Sequence, residues 1–127
     1  MNKTLLWLDD LRNPRTQDWL LRYAPEFLTD GEVIWVKSYG EFIDWINING
    51  LPTKIAFDND LGDATPDEKE GYDCAKYIVE YCMDNNKSLP DWTIQSANPV
   101  ARVHIDSLLK NYTSFTSIMN NTKLNKR

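Results

Sequence analysis

Thr4-Leu5-Leu6-Trp7-Leu8-Asp9-Asp10 and Lys54-Ile55-Ala56-Phe57-Asp58-Asn59-Asp60 decide how the chain is read. Each is a short apolar run that stops abruptly at acids. Runs of that length, bounded by polar residues, fit strands buried on both faces, as in parallel sheets. Val33-Ile34-Trp35-Val36 is a third such run, lying between them in the chain. Trp92 to Gln95 is a fourth, ending at Ser96.

Helical patterns lie between the strands. Gln17 to Phe27 carries Trp19, Leu20, Tyr23 and Phe27, with Pro25 limiting a short, irregular helix. Ser38 with Glu41 three residues on reads as a capping box. Phe42, Ile43, Trp45 and Ile46 follow, and Asn49-Gly50 supplies the stop. Tyr72 to Asp84 places Cys74, Ala75, Ile78, Val79 and Cys82 on one face. Pro99 opens a last helix through Tyr112. Leu61 to Gly71 has no apolar period and reads as a loop. Strands alternating with helices predict a doubly wound parallel α/β sheet of the receiver or flavodoxin-like kind. At 127 residues the chain is one domain by size, read as residues 1–115 followed by a tail, 116–127.

Composition narrows the partners. A net charge of −5 gives no general field to attract duplex nucleic acid. Lys123, Lys126 and Arg127 form the only basic run, read as a frayed terminus. No stretch is long enough to span a membrane, and no leader peptide is visible, so a cytoplasmic protein is expected. Cys74 and Cys82 lie eight apart on one helix, about 12 Å by helix rise. That is too far for a disulfide, so buried, inert thiols are expected.

In open parallel sheets, ligands bind outside the carboxyl ends of the strands. Here those ends carry Asp9-Asp10, Asp58-Asn59-Asp60 and Ser96-Ala97-Asn98-Pro99. Carboxylates gathered at one edge repel, and a divalent cation relieves the conflict. Hard oxygen donors suit Mg²⁺, Mn²⁺ or Ca²⁺. Asp10 and Asp58 are the first choice of ligands, with Asp9 binding directly or through water. Asp60 is a further ligand, a base, or a turn cap. Arg12 contacts phosphate oxygens or pairs with the acids. Arg102 is a second candidate for phosphate. Ser96 and Asn98 donate to the same anion, or Asn98 is only the N-cap of the last helix. His104 reads as surface or core filler, and Asp73 as a helix-start residue suited to the dipole.

The acid pair after strand one, Asp58-x-x-Leu61 after strand three and Ser96-Ala97 after strand four resemble response-regulator receiver domains. The resemblance implies that the pair helps hold Mg²⁺, that Asp58 accepts a phosphoryl group and that Ser96 contacts its oxygens. The chain more closely resembles the predicted cyclic-phosphate-processing receiver domains of bacteria and phages. That resemblance rests on Leu6 to Pro14, on Phe57 to Gly62 with Gly71-Tyr72-Asp73, and on Ser96 to Arg102.

Two departures stand out. No Lys-Pro follows an apolar strand after Tyr112, so the fifth strand and last helix of receivers are expected to be missing or degenerate. Gln95 stands where that branch often has histidine. Glutamine hydrogen-bonds but does not titrate. The resemblance implies a metal-dependent phosphoesterase acting on cyclic phosphates of nucleotides or RNA ends, with Mg²⁺ or Mn²⁺ and a small phosphorylated ligand. The alternatives are a signalling module with Asp58 as phosphoacceptor, or a phage-encoded protein that binds a partner.

Overall fold

In the computed structural model the two acid-terminated runs pair with each other at the centre of the sheet. The structure describes residues 3–61 and 69–125, with side chains described through Ile118. Four parallel strands, β1 (Thr4–Leu8), β2 (Glu32–Val36), β3 (Lys54–Phe57) and β4 (Asp91–Ile94), stand in the order β2-β1-β3-β4. They alternate with α1 (Trp19–Tyr23), α2 (Tyr39–Asn49), α3 (Gly71–Asn85) and α4 (Pro99–Asn125). The fold is the expected receiver or flavodoxin-like α/β sheet.

The central strands need no polar face because both faces are covered. Leu5, Leu6, Trp7 and Leu8 are all fully buried. Side chains alternate across a strand, which divides them between two cores. Leu6, Leu8, Ile55 and Phe57 pack under α2, α3 and α4 against Phe42, Ile46, Ile78 and Ile105. Leu5, Trp7 and Ala56 pack on the other face against Leu20, Ala24 and Phe27. The irregular first helix is α1 followed by a one-turn 3₁₀ segment, Pro25–Phe27. Proline removes the amide that would have continued the α-helix.

The helix ends follow the sequence with small shifts. The Ser38 hydroxyl accepts from the Glu41 amide at 3.1 Å, and Gly50 closes α2 at φ +80°. The Glu41 carboxylate accepts from the Lys37 amide at 3.1 Å, one residue earlier than a capping box requires. At α3 the Asp73 carboxylate accepts from the Glu70 amide at 2.8 Å, so Asp73 acts in the helix start as expected.

Among the described residues no fifth strand follows α4, and β4 is the edge of the sheet. Residues 116–125, expected as a tail, continue α4 without a break. Residues 62–68 of the expected loop, Gly62 included, and the terminal Lys126 and Arg127 lie outside the described residues. No described helix is long and apolar enough to cross a membrane.

Register sets the site. Leu8 pairs with Val36 and Phe57, and Phe57 with Ile94. The ladder runs one residue further: Asp9 donates to the Val36 carbonyl, Asp58 to the Leu8 carbonyl and Gln95 to the Phe57 carbonyl, at 2.9–3.0 Å. Asp9, Asp58 and Gln95 therefore form one cross-strand row, on the face that α1 covers. The chain leaves β1 toward β2 on one side, while β3 lies on the other, so the row sits at the topological switch point.

Candidate functional site

The row brings three carboxylates together. One oxygen each from Asp9, Asp10 and Asp58 lies within 4.8 Å of the others, close enough to share one ion. Asp9 is fully buried, Asp58 is 4% exposed and Asp10 is half-buried.

Asp9 is fixed by the loop that follows it. Its Oδ1 accepts from the Leu11 and Arg12 amides at 3.0 and 2.8 Å. Its Oδ2 accepts from an Arg12 guanidinium N–H at 3.1 Å. The same guanidinium nitrogen lies 3.7 Å from Asp58 Oδ1, and the group rests over the Trp19 ring at 5.3 Å. Of the two readings of Arg12, the ion pair with the acids is the arrangement present.

Asp58 is held less firmly. One carboxylate oxygen accepts from the Asn59 amide at 2.9 Å. Burial, and next the charge of Asp9, push its carboxyl up to about 7, against the opposing pull of Arg12. A carboxyl so placed keeps its proton to higher pH than an ordinary aspartate, and positive charge added nearby favours its loss.

Several residues that position the acids were not marked as site residues by the sequence. The Trp35 indole donates to the Asp9 carbonyl at 2.7 Å, and the Trp7 indole to the Arg12 carbonyl at 2.9 Å. Both read in the sequence as strand apolar residues. The signal was present, since a buried indole N–H needs an acceptor. Gly71, read only as a helix start, donates to the Asn59 carbonyl at 2.9 Å. A Cβ on Gly71 would stand 1.8 Å from the Asp58 carbonyl oxygen, so only glycine lets α3 begin against Asp58. Asn59 ties the same junction by accepting from the Tyr72 amide at 3.2 Å.

The remaining candidates fall outside the triad. Asp60 is exposed, and its carboxylate accepts from the Asn59 side chain at 3.4 Å. Ser96 is buried and its hydroxyl accepts from the Asn98 amide at 3.1 Å. Asn98 accepts from the Val100 and Ala101 amides at 3.1 Å and is the N-cap of α4. Arg102 lines a cavity of about 450 Å³ with Trp92, Ile94 and Val103 along the β4 edge, and no triad residue lines it. His104 stands edge-on to Tyr72 at 6.3 Å, in a smaller cavity of about 260 Å³ shared with Asn59 and Glu70. Lys110 pairs with Asp106 at 2.7 Å on α4. Cys74 and Cys82 are free, buried thiols whose pKa values burial raises, Cys82 to about 11.

Gln95, noted in the sequence only as a departure, completes the row. Its side-chain N–H donates to the Leu8 carbonyl at 2.9 Å.

No curated protein matches the chain. One similar solved structure is a fusion carrying amino acids 181–211 of the yeast Spc42 trimeric coiled coil, at 15% identity and TM-score 0.46, covering 99% of this chain and 89% of that one. That likeness is too distant to bear on fold or function. Residues 4–111 match the family model described as the cyclic-phosphate processing receiver domain. The match runs from the first strand into the last helix and takes in all three strand ends that carry the acids and Ser96. The chain belongs to the cyclic-phosphate processing receiver domain family.

Proposed function

We propose that the chain is a divalent-cation-dependent phosphoesterase acting on cyclic phosphates of nucleotides or RNA ends. The observation that carries this reading is the clustering of Asp9, Asp10 and Asp58 within 4.8 Å. The family name supplies the substrate class.

The donor set fits a hard cation. All three groups are carboxylates, the ligands that Mg²⁺ and Mn²⁺ prefer. Asp58 is also buried where ionisation is unfavourable without added positive charge. Asp9, Asp10 and Asp58 would hold the ion, which supplies polarisation of a phosphoryl oxygen or a more acidic water. Asp9 contributes orientation, since its two backbone donors fix the carboxylate before any ion arrives. Arg12 offsets part of the acids' repulsion. Asp60, exposed and two residues after Asp58, would take the proton from a water attacking phosphorus, while one ring P–O bond breaks and the released oxygen takes a proton from solvent. The Ser96–Asn98 turn at the start of α4 faces the phosphate, where a helix N-terminus favours an anion.

The reading predicts Mg²⁺- or Mn²⁺-dependent hydrolysis of 2′,3′-cyclic nucleotides that Asp58→Asn abolishes. Complete inactivity over a panel of cyclic phosphates with each metal would sink it. In the alternative reading Asp58 accepts a phosphoryl group. Incubation with a small phosphodonor and intact-mass measurement separates the two. The phosphoacceptor reading requires a gain of one phosphoryl mass that Asp58→Asn removes.

A further inference from the structure

Gln95 holds a buried polar atom that no described protein group satisfies. The residue is 2% exposed, and its side-chain oxygen Oε1 has no hydrogen-bond donor. Its orientation is fixed by its other end. Nε2 donates to the Leu8 carbonyl at 2.9 Å, and turning the amide over would set two acceptor oxygens against each other. The Leu8 carbonyl also accepts from the Asp58 amide at 3.0 Å. The Gln95 carboxamide thus crosses β3 from its own strand and lies over the junction of Leu8 and Asp58. Oε1 shares a carbon with Nε2, so it too lies beside that junction, within the row of Asp9 and Asp58.

An amide oxygen buried without a donor is destabilising, and such groups call for an explanation. In the ionised form that a cation site requires, the neighbouring acids offer none, because ionised carboxylates only accept. Arg12 gives one guanidinium N–H to Asp9, the same nitrogen lies 3.7 Å from Asp58, and none of its N–H groups reaches Oε1. A water that donates one proton to Oε1 and one to a carboxylate keeps its lone pairs for a cation. Three clustered carboxylates and an orphan carbonyl oxygen in the same cross-strand row are all hard donors.

We propose that Gln95 Oε1 is the fourth protein oxygen facing the cation site, engaging the ion or a water that the ion holds. The inference rests on the cation reading above, and adds a residue of this chain that the carboxylate cluster does not include. It makes Gln95 a positioning residue that sets cation affinity.

The test compares wild type with Gln95→Met and Gln95→Glu by calorimetric titration with MgCl₂ and by thermal unfolding with and without Mg²⁺. Methionine keeps the length and removes both polar atoms. The Leu8 carbonyl keeps its Asp58 partner, so Gln95→Met without metal should melt at or above the wild-type temperature. Its Mg²⁺ affinity should fall about tenfold to a hundredfold. Gln95→Glu adds a fourth carboxylate, so it should melt lower without metal and gain more from Mg²⁺ than wild type does. Unchanged Mg²⁺ affinity in Gln95→Met overturns the role of Gln95 and leaves the cation site standing. A Gln95→Met chain that is markedly less stable without metal marks the amide as structural and also overturns it. A wild-type chain that takes up neither Mg²⁺ nor Mn²⁺ overturns this inference and the cation reading together.

Discussion

The two faces of the sheet bury different things. Under α2, α3 and α4 the strands present Leu6, Leu8, Ile55 and Phe57, which pack in an apolar core. Under α1 they present Leu5, Trp7 and Ala56, and then, one step further along, Asp9, Asp58 and Gln95. One face supplies burial energy. The other spends part of it holding carboxylates and an unpartnered amide oxygen out of water. The contrast teaches that the site is an extension of the sheet's own register, placed where a strand pattern that is apolar for its whole length turns polar by one residue.

The largest expected effect separates the faces. Phe42 is fully buried and its ring lies 6.1 Å from that of Phe57. Phe42→Ala should cost about 3–5 kcal/mol, the usual range for a large core truncation. Urea unfolding measures the loss, and Mg²⁺ titration of the folded fraction should give the wild-type affinity. If affinity falls in step with stability, the two faces are one unit and the contrast fails.

The next effect divides the row itself. Asp9 and Asp58 are neighbours with opposite stability signs. Asp58 in the unfolded chain loses its proton near 3.8, and in the folded chain near 7. Between those values the folded state binds more protons, so stability falls as pH rises. From pH 5 to pH 8, without divalent metal, the loss from this group is up to about 3 kcal/mol. Asp58→Asn should flatten that slope and exceed wild type in stability at pH 8. Asp9 carries two backbone donors and an arginine. Asp9→Asn sets an amide N–H against the guanidinium and should cost about 1.5–3 kcal/mol, the range for bonds to charged groups. Melting temperatures from pH 5 to pH 8 in a chelator check both signs.

Much of this arrangement was legible in the sequence. The strands announced themselves because a strand buried on both faces must be wholly apolar, and the acids that stop β1 and β3 marked the strand ends where the carboxylates cluster. Less was legible wherever a side chain chose between partners of similar chemistry. Arg12 could pair with acid or with phosphate, and only the turn held by Asp9 sets it on the acids. Asp60 follows Asp58 by two residues, yet it lies beyond the strand end, where alternation no longer predicts the direction of a side chain. Residues 113–125 escaped for another reason. Thr113, Ser114, Thr116, Ser117, Asn120, Asn121 and Thr122 are weak helix formers, so propensity gave no warning that α4 continues. Gln95 could be seen to replace a histidine, but an orphan oxygen is a property of three dimensions.

The smallest effect is the most local, and it compares two glycines in the first turns of neighbouring helices. Gly40 in α2 has open space: a Cβ there would meet its nearest neighbour, the Ser38 hydroxyl oxygen, at 3.9 Å. Gly71 in α3 has none, because a Cβ would stand 1.8 Å from the Asp58 carbonyl oxygen and 2.9 Å from the Asn59 Cα. Alanine is the better helix former by up to about 1 kcal/mol, so Gly40→Ala should stabilise modestly. The same change at Gly71 must push the Asp58–Asn59 backbone aside, at about 1–3 kcal/mol for overpacking. Both substitutions add one methyl group to a helix start. They differ only in whether that start leans on the site, so the metal response isolates what the contact is for. Gly71→Ala should weaken Mg²⁺ binding beyond its loss of stability, because the displaced backbone carries Asp58, a ligand in the proposed site, while Gly40→Ala leaves binding unchanged. Equal Mg²⁺ affinity in the two variants would mean that α3 supports the fold at this point without setting the position of Asp58.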